Sequence, residues 1–116
     1  MAVRLWLQAA DKGFADAEAS LARAYMRGEG VALDYAAALR FARRAADQGH
    51  ASGENVLGVL YLKGWGVPQD PHESIKHFAM AAAMGDDGAI SNLRGLAAAG
   101  AAEAAAALRR LRLAPS

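Results

Sequence analysis

The chain of 116 residues contains no cysteine, and this absence removes several classes of function. Without thiols there is no disulfide framework, no thiolate nucleophile and no cysteine-ligated zinc. The redox compartment stays open, because a cysteine-free chain is compatible with either environment. No apolar run reaches the roughly 18 residues of a membrane-spanning helix, so no membrane insertion is expected.

The chain also has little net charge and few residues that favour strands. The formal net charge is only +1, which argues against nucleic-acid binding by bulk electrostatic attraction. Valine and isoleucine, which favour strands, are few. The chain is instead rich in alanine, at 31 of its 116 positions, within a composition that is 54% hydrophobic. Because alanine is the best helix former and this hydrophobic share is too high for a disordered chain, the composition predicts one all-α domain.

The strongest pattern is an internal repeat of 36 residues. A fixed period between about 20 and 50 residues indicates stacked repeat units. The period divides the chain into a trailing half repeat at 1–13, repeats at 15–49 and 51–85, and a degenerate capping repeat at 87–113. Nine residues recur identically 36 positions later: Leu21/Leu57, Tyr25/Tyr61, Gly28/Gly64, Gly30/Gly66, Val31/Val67, Asp34/Asp70, Ala45/Ala81, Ala46/Ala82 and Gly49/Gly85.

Each full repeat is predicted to form two helices separated by a Gly-x-Gly turn. Gly28 and Gly64 are expected to end the first helices in the left-handed conformation, which carries no Cβ penalty at glycine. Asp34 and Asp70 are expected to accept hydrogen bonds from free backbone amides at the start of the second helices. Glu73, three residues after Asp70, predicts a capping box at the second of these helix starts.

This pattern, Ala-x-x-x-Leu-Gly-x-x-Tyr-x-x-Gly-x-Gly-Val followed by Asp and by Ala-Ala-x-x-Gly, resembles the Sel-one-like repeat family. Residues 17–49 match it with Ala22 in place of the glycine after leucine, and residues 53–85 match it with Gly58 present. The resemblance covers about residues 5–100. It implies a right-handed α/α superhelical solenoid of antiparallel helix pairs that serves as an adaptor for other proteins. The related tetratricopeptide repeat has a period of about 34 residues and lacks the Gly-x-Gly-Val turn, so it fits less well.

No residue pattern predicts catalysis, a metal or a cofactor. The Gly-x-Gly turns lack the third glycine and the strand-to-helix context of phosphate-binding loops. The three histidines, His50, His72 and His77, show no metal-ligand spacing and are expected at the surface or between helices. Asp86 and Asp87 are adjacent at a helix start, where capping and the helix dipole explain them. The chain is therefore predicted not to be an enzyme.

The first helix of each pair is expected to line the inner surface of the solenoid. Its residues that point away from the helix-pair seam form the predicted partner-binding surface. They are Asp16, Ala19, Arg23, Met26, Arg27, Ser52, Asn55, Val59, Leu62, Lys63 and Ser91. This mixture of apolar side chains and basic edges suits an extended peptide or a partner helix that carries acidic groups. The alternative is that these are ordinary surface residues of a spacer.

Two further features allow more than one interpretation. Trp65 is a candidate interface anchor if it projects from its turn, and otherwise its ring folds over the neighbouring helix. Two basic clusters are predicted to be solvated parts of the convex face, a patch for an acidic partner or nucleic acid being the weaker alternative. The clusters are Arg40, Arg43 and Arg44, and Arg109, Arg110 and Arg112.

The sequence therefore predicts a non-catalytic protein–protein interaction module. It is expected to form part of a larger bacterial protein, since heavy alanine and arginine usage suggests a bacterial source with a GC-rich genome. One alternative is a self-associating scaffold, a homodimer formed through the open N-terminal edge at residues 3–12. A less favoured one is a binder of cell-wall fragments or β-lactams, as in cysteine-rich relatives whose cysteines this chain lacks. No signal pattern is present, and bacterial cytoplasm and periplasm both stay open as compartments.

Overall fold

The computed structural model describes residues 2–113; Met1, which belongs to the predicted half repeat, and residues 114–116 lie outside the described residues. Within residues 2–113 the chain forms seven helices and no strand. They are α1 (Ala2–Asp11), α2 (Ala15–Arg27), α3 (Tyr35–Asp47), α4 (Ala51–Lys63), α5 (Pro71–Ala83), α6 (Asp87–Ala98) and α7 (Ala102–Arg110). None of these described helices is long and apolar enough to cross a membrane.

The helices stack as an all-α solenoid of antiparallel pairs, as the sequence predicts. We call α2, α4 and α6 the A helices, and α1, α3, α5 and α7 the B helices. α2 pairs with α3, α4 with α5, and α6 with α7, while α1, α3 and α5 each also pack against the A helix that follows. Across repeats, α2 packs against α4 and α5 packs against α7. Each helix from α2 to α6 therefore packs against at least two other helices.

The helix ends follow the predicted local chemistry. Gly28 and Gly64 end α2 and α4 with φ of +67° and +70°, a conformation that glycine adopts without steric penalty. The Asp34 carboxylate accepts a hydrogen bond from the Ala37 amide at 3.0 Å at the start of α3. Asp70 and Asp86 cap α5 and α6 in the same manner. These caps fix the ends of α2 and α4 and the starts of α3, α5 and α6, whereas α2, α4 and α7 start without a side-chain cap hydrogen bond.

The capping box predicted at Asp70 and Glu73 forms only in part. The Asp70 carboxylate accepts from the Glu73 amide at 3.1 Å, as expected. The Asp70 amide, however, donates to the Tyr61 carbonyl of α4 at 2.9 Å. The Glu73 carboxylate instead lies 3.8 Å from His77 Nε2 and 3.9 Å from Lys76 Nζ. The prediction of a reciprocal box was wrong because the preceding helix supplies the acceptor.

Replacing Asp70 by alanine is expected to lower the free energy of unfolding by about 1 kcal/mol, because the Glu73 amide loses its acceptor. Asp70→Asn keeps a side-chain acceptor and serves as the matched control, with stability close to that of the unaltered chain. Urea unfolding followed by circular dichroism measures both variants. Equal losses in the two would attribute the effect to the aspartate charge and not to the cap.

Two clusters of buried side chains hold the pairs together. The first includes Leu21, Phe41 and Leu57 and joins α1 to α4, and the second includes Phe78 and Leu93 and joins α5 to α7. Burial of a large apolar side chain contributes about 1.5–3 kcal/mol, so these clusters supply the main stabilisation of the stack. Within each full repeat, an A-helix tyrosine also stacks on a B-helix ring. The pairs are Tyr25/Phe41, with ring centroids 5.9 Å apart, and Tyr61/His77, with centroids 5.5 Å apart.

The size of one facing pair of residues differs between the two repeats. In the second repeat Gly58 of α4 lies against the buried ring of Phe78 on α5. A Cβ built on Gly58 would lie 2.4 Å from Cδ1 and Cε1 of that ring, closer than real contacts allow. In the first repeat the equivalent positions hold Ala22 and Ala42, and both are fully buried. A glycine facing a large ring in one repeat thus corresponds to two alanines in the other.

Two glutamates at equivalent positions, Glu18 and Glu54, are buried on the A helices, and the sequence analysis did not identify them. The carboxylate of Glu18 lies 2.7 Å from Arg44 Nε on α3 and also accepts from the Gln48 amide group. The carboxylate of Glu54 pairs with His77 Nδ1 at 2.9 Å. Arg44 was predicted to be solvated, and its side chain is about half exposed, but its guanidinium also neutralises the buried carboxylate of Glu18.

All three histidines lie beside a carboxylate of another helix. The pairs are His50 with Asp16, His72 with Glu103, and His77 with Glu54. The hydrogen bond to Glu103 raises the pKa of His72 above its ordinary value, because a nearby carboxylate favours the protonated imidazole. Within residues 2–113 no three histidine or acidic side chains are grouped so as to hold a metal ion. The histidines therefore connect helices, as the sequence analysis expected.

Candidate interaction groove

The A helices present a concave surface that contains a cavity of about 590 Å³. We call this cavity the concave groove. Residues of α2, α4 and α6 and one turn residue line it: Arg23, Met26, Arg27, Asn55, Val56, Val59, Trp65, Gly88, Ser91 and Asn92. α2 forms one edge of the lining, and α4 and α6 together form the wall.

The wall formed by α4 and α6 is held by an amide pair. Asn92 Nδ2 donates to Asn55 Oδ1 at 3.0 Å, which links the two A helices across the repeat boundary. Gly88, in the first turn of α6, leaves room for this pair, since a Cβ there would lie 3.1 Å from Asn55 Nδ2. The Asn55 amide nitrogen and the Asn92 carbonyl oxygen take no part in this bond, and each can serve a ligand. The groove therefore offers amide groups beside the apolar side chain of Val59.

The edge formed by α2 carries two arginines. Arg23 Nη1 lies 3.4 Å from the Ser52 hydroxyl, and Arg27 Nη1 lies 3.7 Å from the Glu29 carboxylate, with both members of the second pair well exposed. Exposed ion pairs of this length contribute little and leave the guanidinium able to exchange partners. Among the described residues that line the groove there is no aspartate or glutamate. This edge therefore carries two guanidinium groups, one of which is paired with Glu29.

Trp65 closes one end of the concave groove and does not project into solvent. Its ring stacks on Tyr35 of α3, with centroids 4.9 Å apart and an interplanar angle of 7°. Gly66 makes this contact possible, because a Cβ there would lie 3.0 Å from the Tyr35 carbonyl oxygen. Of the two interpretations of Trp65, the structure favours the ring that folds onto a neighbouring helix, with one edge still bordering the groove.

The structure brings together only part of the predicted partner-binding surface. Residues of that prediction that line the concave groove are Arg23, Met26, Arg27, Asn55, Val59, Ser91 and the turn residue Trp65. Asp16 lies outside it, beside His50, and Ser52 lies next to Arg23. Leu62 packs against the second core cluster, and Lys63 is exposed outside the groove lining.

Two residues of the predicted surface have the wrong orientation. Met26 is only 8% exposed and belongs to the first core cluster, although one side of it borders the groove. Ala19 is fully buried. Both were expected to point away from the helix-pair seam. That expectation was wrong because α2 is covered by α4 as well as by α3.

The sequence analysis also missed three lining residues, Val56, Gly88 and Asn92. Val56 is buried between helices and reaches the groove only at its edge. Asn92 occupies the position 36 residues after Val56, and so the repeat pattern alone gives no polar residue there. The pair could have been found by searching for asparagines that face each other on neighbouring A helices, as Asn55 and Asn92 do.

The repeat pattern has counterparts among known proteins. A family model described as the Sel1 repeat, the Sel-one-like repeat, matches residues 1–14, 15–50 and 51–86. No curated protein matches the chain.

Two solved structures share the fold. One is a protective antigen of uropathogenic Escherichia coli with an SLR fold, at 33% identity and a TM-score of 0.76, covering 92% of this chain and 24% of the antigen. The other is a Sel1 repeat protein of Oxalobacter formigenes, at 31% identity and a TM-score of 0.69, covering 81% of this chain and 39% of that protein. The chain thus spans about a quarter of the length of the antigen and about two fifths of the length of the Sel1 repeat protein.

Proposed function

This chain belongs to the Sel1 repeat family, and from that premise we propose that it holds an acidic peptide or helix in the concave groove. Sel1 repeat proteins are generally non-catalytic protein-interaction modules. The observation that carries the finer proposal is the groove lining. Val59 gives an apolar surface, Arg23 and Arg27 give a cationic edge, and no carboxylate is present among the described lining residues.

The chemistry of this lining favours one class of partner. Arginine binds carboxylates through charge-assisted and often bidentate hydrogen bonds, which are stronger than bonds between neutral groups. The amides of Asn55 and Asn92 can donate to and accept from a peptide main chain. An apolar side chain of the partner would cover Val59. The partner we propose is therefore a segment that alternates acidic and apolar residues.

Charge reversal at the groove edge is expected to weaken the binding of such a segment. A displayed library of random twelve-residue peptides, selected on the immobilised chain, supplies the probes, and fluorescence anisotropy measures their affinities. We expect the selected peptides to be rich in aspartate and glutamate. Arg23→Glu/Arg27→Glu should weaken binding at least about tenfold, since each lost charged contact contributes about 1.5–3 kcal/mol.

Arg40→Glu/Arg109→Glu is the matched control, because it makes the same change in net charge on the B helices. It should leave the affinity for the selected peptides nearly unchanged. Thermal unfolding should be similar for both variants, since all four arginines are exposed. Selected peptides without acidic residues, or equal binding by both variants, would contradict the assignment of the partner to the concave groove.

A further inference from the structure

A second cavity, of about 600 Å³, lies between α5 and α7, two B helices that pack against each other. We call it the α5/α7 cavity and define it by Ile75, Lys76, Ala79, Met80, Ala106 and Arg110. Its two walls are helices of successive repeats in direct contact, so the cavity is formed within the described stack. No described residue lines both this cavity and the concave groove. Its occupant is therefore independent of the peptide proposed for that groove.

The position of α7 beside α5 follows a short connection. Residues 99–101 separate α6 from α7, whereas residues 64–70 separate α4 from α5. α7 therefore begins five positions earlier than the 36-residue period predicts from the start of α5 at Pro71. In this arrangement Glu103, in the first turn of α7, lies 2.7 Å from His72 Nδ1, in the first turn of α5. This contact marks the amino-terminal end of the cavity, and both helices run from it in the same direction.

Most of the surface of the α5/α7 cavity is apolar. Ile75 is buried, Ala79 and Ala106 are half-buried, and Met80 is 41% exposed. The methionine side chain is flexible and polarisable, so it adapts to the shape of an apolar ligand. A cavity of several hundred Å³ that is mainly apolar, with a few charged groups at its edge, is typical of a small-molecule site.

Comparison of the two repeats shows why position 80 can be apolar. Met80 lies 36 residues after Arg44, whose guanidinium neutralises the buried carboxylate of Glu18. In the second repeat the equivalent carboxylate, that of Glu54, pairs instead with His77, on the preceding turn of α5. Position 80 is therefore not needed for an ion pair, and it exposes an apolar side chain at the cavity.

The charges around the cavity leave one cation without a counter-ion. His72 lies beside Glu103, and Lys76 Nζ lies 3.9 Å from the carboxylate of Glu73. The guanidinium of Arg110 makes no ion pair or hydrogen bond with another described residue. One uncompensated positive charge beside an apolar cavity is complementary to a ligand with a single negative charge and an apolar body. A segment with several carboxylates fits less well, because the additional negative charges would approach Glu73 and Glu103.

We propose that the α5/α7 cavity binds a medium-chain fatty acid. The carboxylate of the fatty acid pairs with Arg110, and its acyl chain covers Ile75, Ala79 and Met80. The cavity extends along α5 from His72 to Met80, about 12 Å at 1.5 Å per residue, which is close to the extended length of a chain of about ten carbons. Recognition therefore combines one charge-assisted contact with burial of a single apolar chain.

Decanoate, kept below the concentration at which it forms micelles, is the probe, and NMR of chain labelled with 13C at the methionine methyl groups measures its binding. Met80 lines the α5/α7 cavity and Met26 borders the concave groove, so each surface has its own signal. We expect the Met80 signal to move saturably and the Met26 signal to stay in place. Octanoate should bind about tenfold more weakly, since each buried methylene contributes about fourfold. Decyltrimethylammonium, which has the same chain and a positive head group, should not move Met80.

Two pairs of variants, measured by isothermal titration calorimetry with decanoate, locate the contacts. Arg110→Glu should weaken binding at least about tenfold, because it replaces an attraction by a repulsion. Arg109→Glu makes the same charge change at the adjacent exposed residue, which does not line the cavity, and should leave the affinity unchanged. Met80→Gln should weaken binding about fivefold, whereas Met84→Gln, at the exposed residue that follows α5, should not. All four side chains are exposed, so circular dichroism should show an unchanged fold.

Three results would overturn the proposal. Equal binding of decanoate by the Arg110→Glu and Arg109→Glu variants would show that the carboxylate does not lie at the α5/α7 cavity. Movement of the Met26 signal, or loss of decanoate binding in Arg23→Glu/Arg27→Glu, would place the fatty acid in the concave groove. If decanoate does not bind and Arg110→Glu instead weakens the acidic peptides selected on the chain, the occupant of the cavity is a peptide.

Discussion

Replacing Gly58 by alanine is expected to lower the free energy of unfolding by about 1–3 kcal/mol, although alanine is the better helix former. The added methyl group would lie 2.4 Å from two atoms of the Phe78 ring, and that ring is fully buried. Overpacking of this size costs about 1–3 kcal/mol and outweighs the roughly 1 kcal/mol gained in helix propensity when the ring cannot move aside. Urea and thermal unfolding measured by circular dichroism test the prediction.

Gly95→Ala is the matched control for this substitution. Gly95 lies within α6, and a Cβ at that position would meet nothing within 4 Å. Alanine there should raise the free energy of unfolding by about 0.4–1 kcal/mol, because it lowers the entropy of the unfolded chain and favours the helix. If Gly58→Ala stabilised the chain as Gly95→Ala does, close packing between α4 and α5 would be contradicted.

A double substitution tests whether the loss at Gly58 acts through Phe78. Phe78→Ala alone should cost about 3–5 kcal/mol, because it leaves a cavity in the second core cluster. Gly58→Ala/Phe78→Ala recreates the alanine pair that the first repeat has at Ala22 and Ala42. The double variant should therefore be more stable than the sum of the single losses predicts, by about 1 kcal/mol or more.

Removing the guanidinium of Arg44 is expected to lower the free energy of unfolding by about 1–3 kcal/mol, because the Glu18 carboxylate stays buried and loses its cation. Glu18 is 1% exposed, and its carboxylate lies 2.7 Å from Arg44 Nε. Removing one partner of a fully buried pair costs about 3–5 kcal/mol. Arg44 itself is about half exposed, and water will replace part of what is lost. Arg44→Met keeps the aliphatic stem and isolates the charge.

Arg40→Met on the same helix is the control for that variant. Both guanidinium groups lie over the Phe41 ring, at 5.1 Å and 5.6 Å from its centroid, so both substitutions remove a similar cation–π contact. Arg40 is exposed, and its loss should change stability by no more than about 0.5 kcal/mol. Adding Glu18→Gln to Arg44→Met should recover part of the loss. Equal stability of the two methionine variants would show that Arg44 does not stabilise Glu18.

The helix boundaries were predictable because each is decided by a few neighbouring residues. A helix ends where Gly28 can adopt a positive φ, and it begins where the Asp34 carboxylate reaches an amide three residues ahead. Neither event depends on a distant part of the chain. The one failure among them, the reciprocal capping box at Glu73, occurred where a distant group, the Tyr61 carbonyl, accepted the Asp70 amide.

The lining of the concave groove was predictable only in part, because burial depends on how many helices surround each side chain. Arg23, Arg27 and Asn55, which helical spacing puts on one surface of the A helices, line the same cavity. It fails at Met26, since a pattern with one buried face does not describe a helix packed on two sides. Glu18 was overlooked for the same reason: its partner, Arg44, lies on another helix 26 positions further along the chain.

The sequence by itself determined the period, the alternation of A and B helices and the residues at which each helix starts and stops. These properties repeat at fixed spacing and rest on local backbone and capping chemistry. The same residues therefore produce the same helix boundaries in both repeats. The tertiary structure alone decided which glycine faces which ring and which carboxylates are buried. Those properties depend on contacts between helices, and the strength of a contact is set by the shape and charge of both partners, which a single stretch of sequence does not contain.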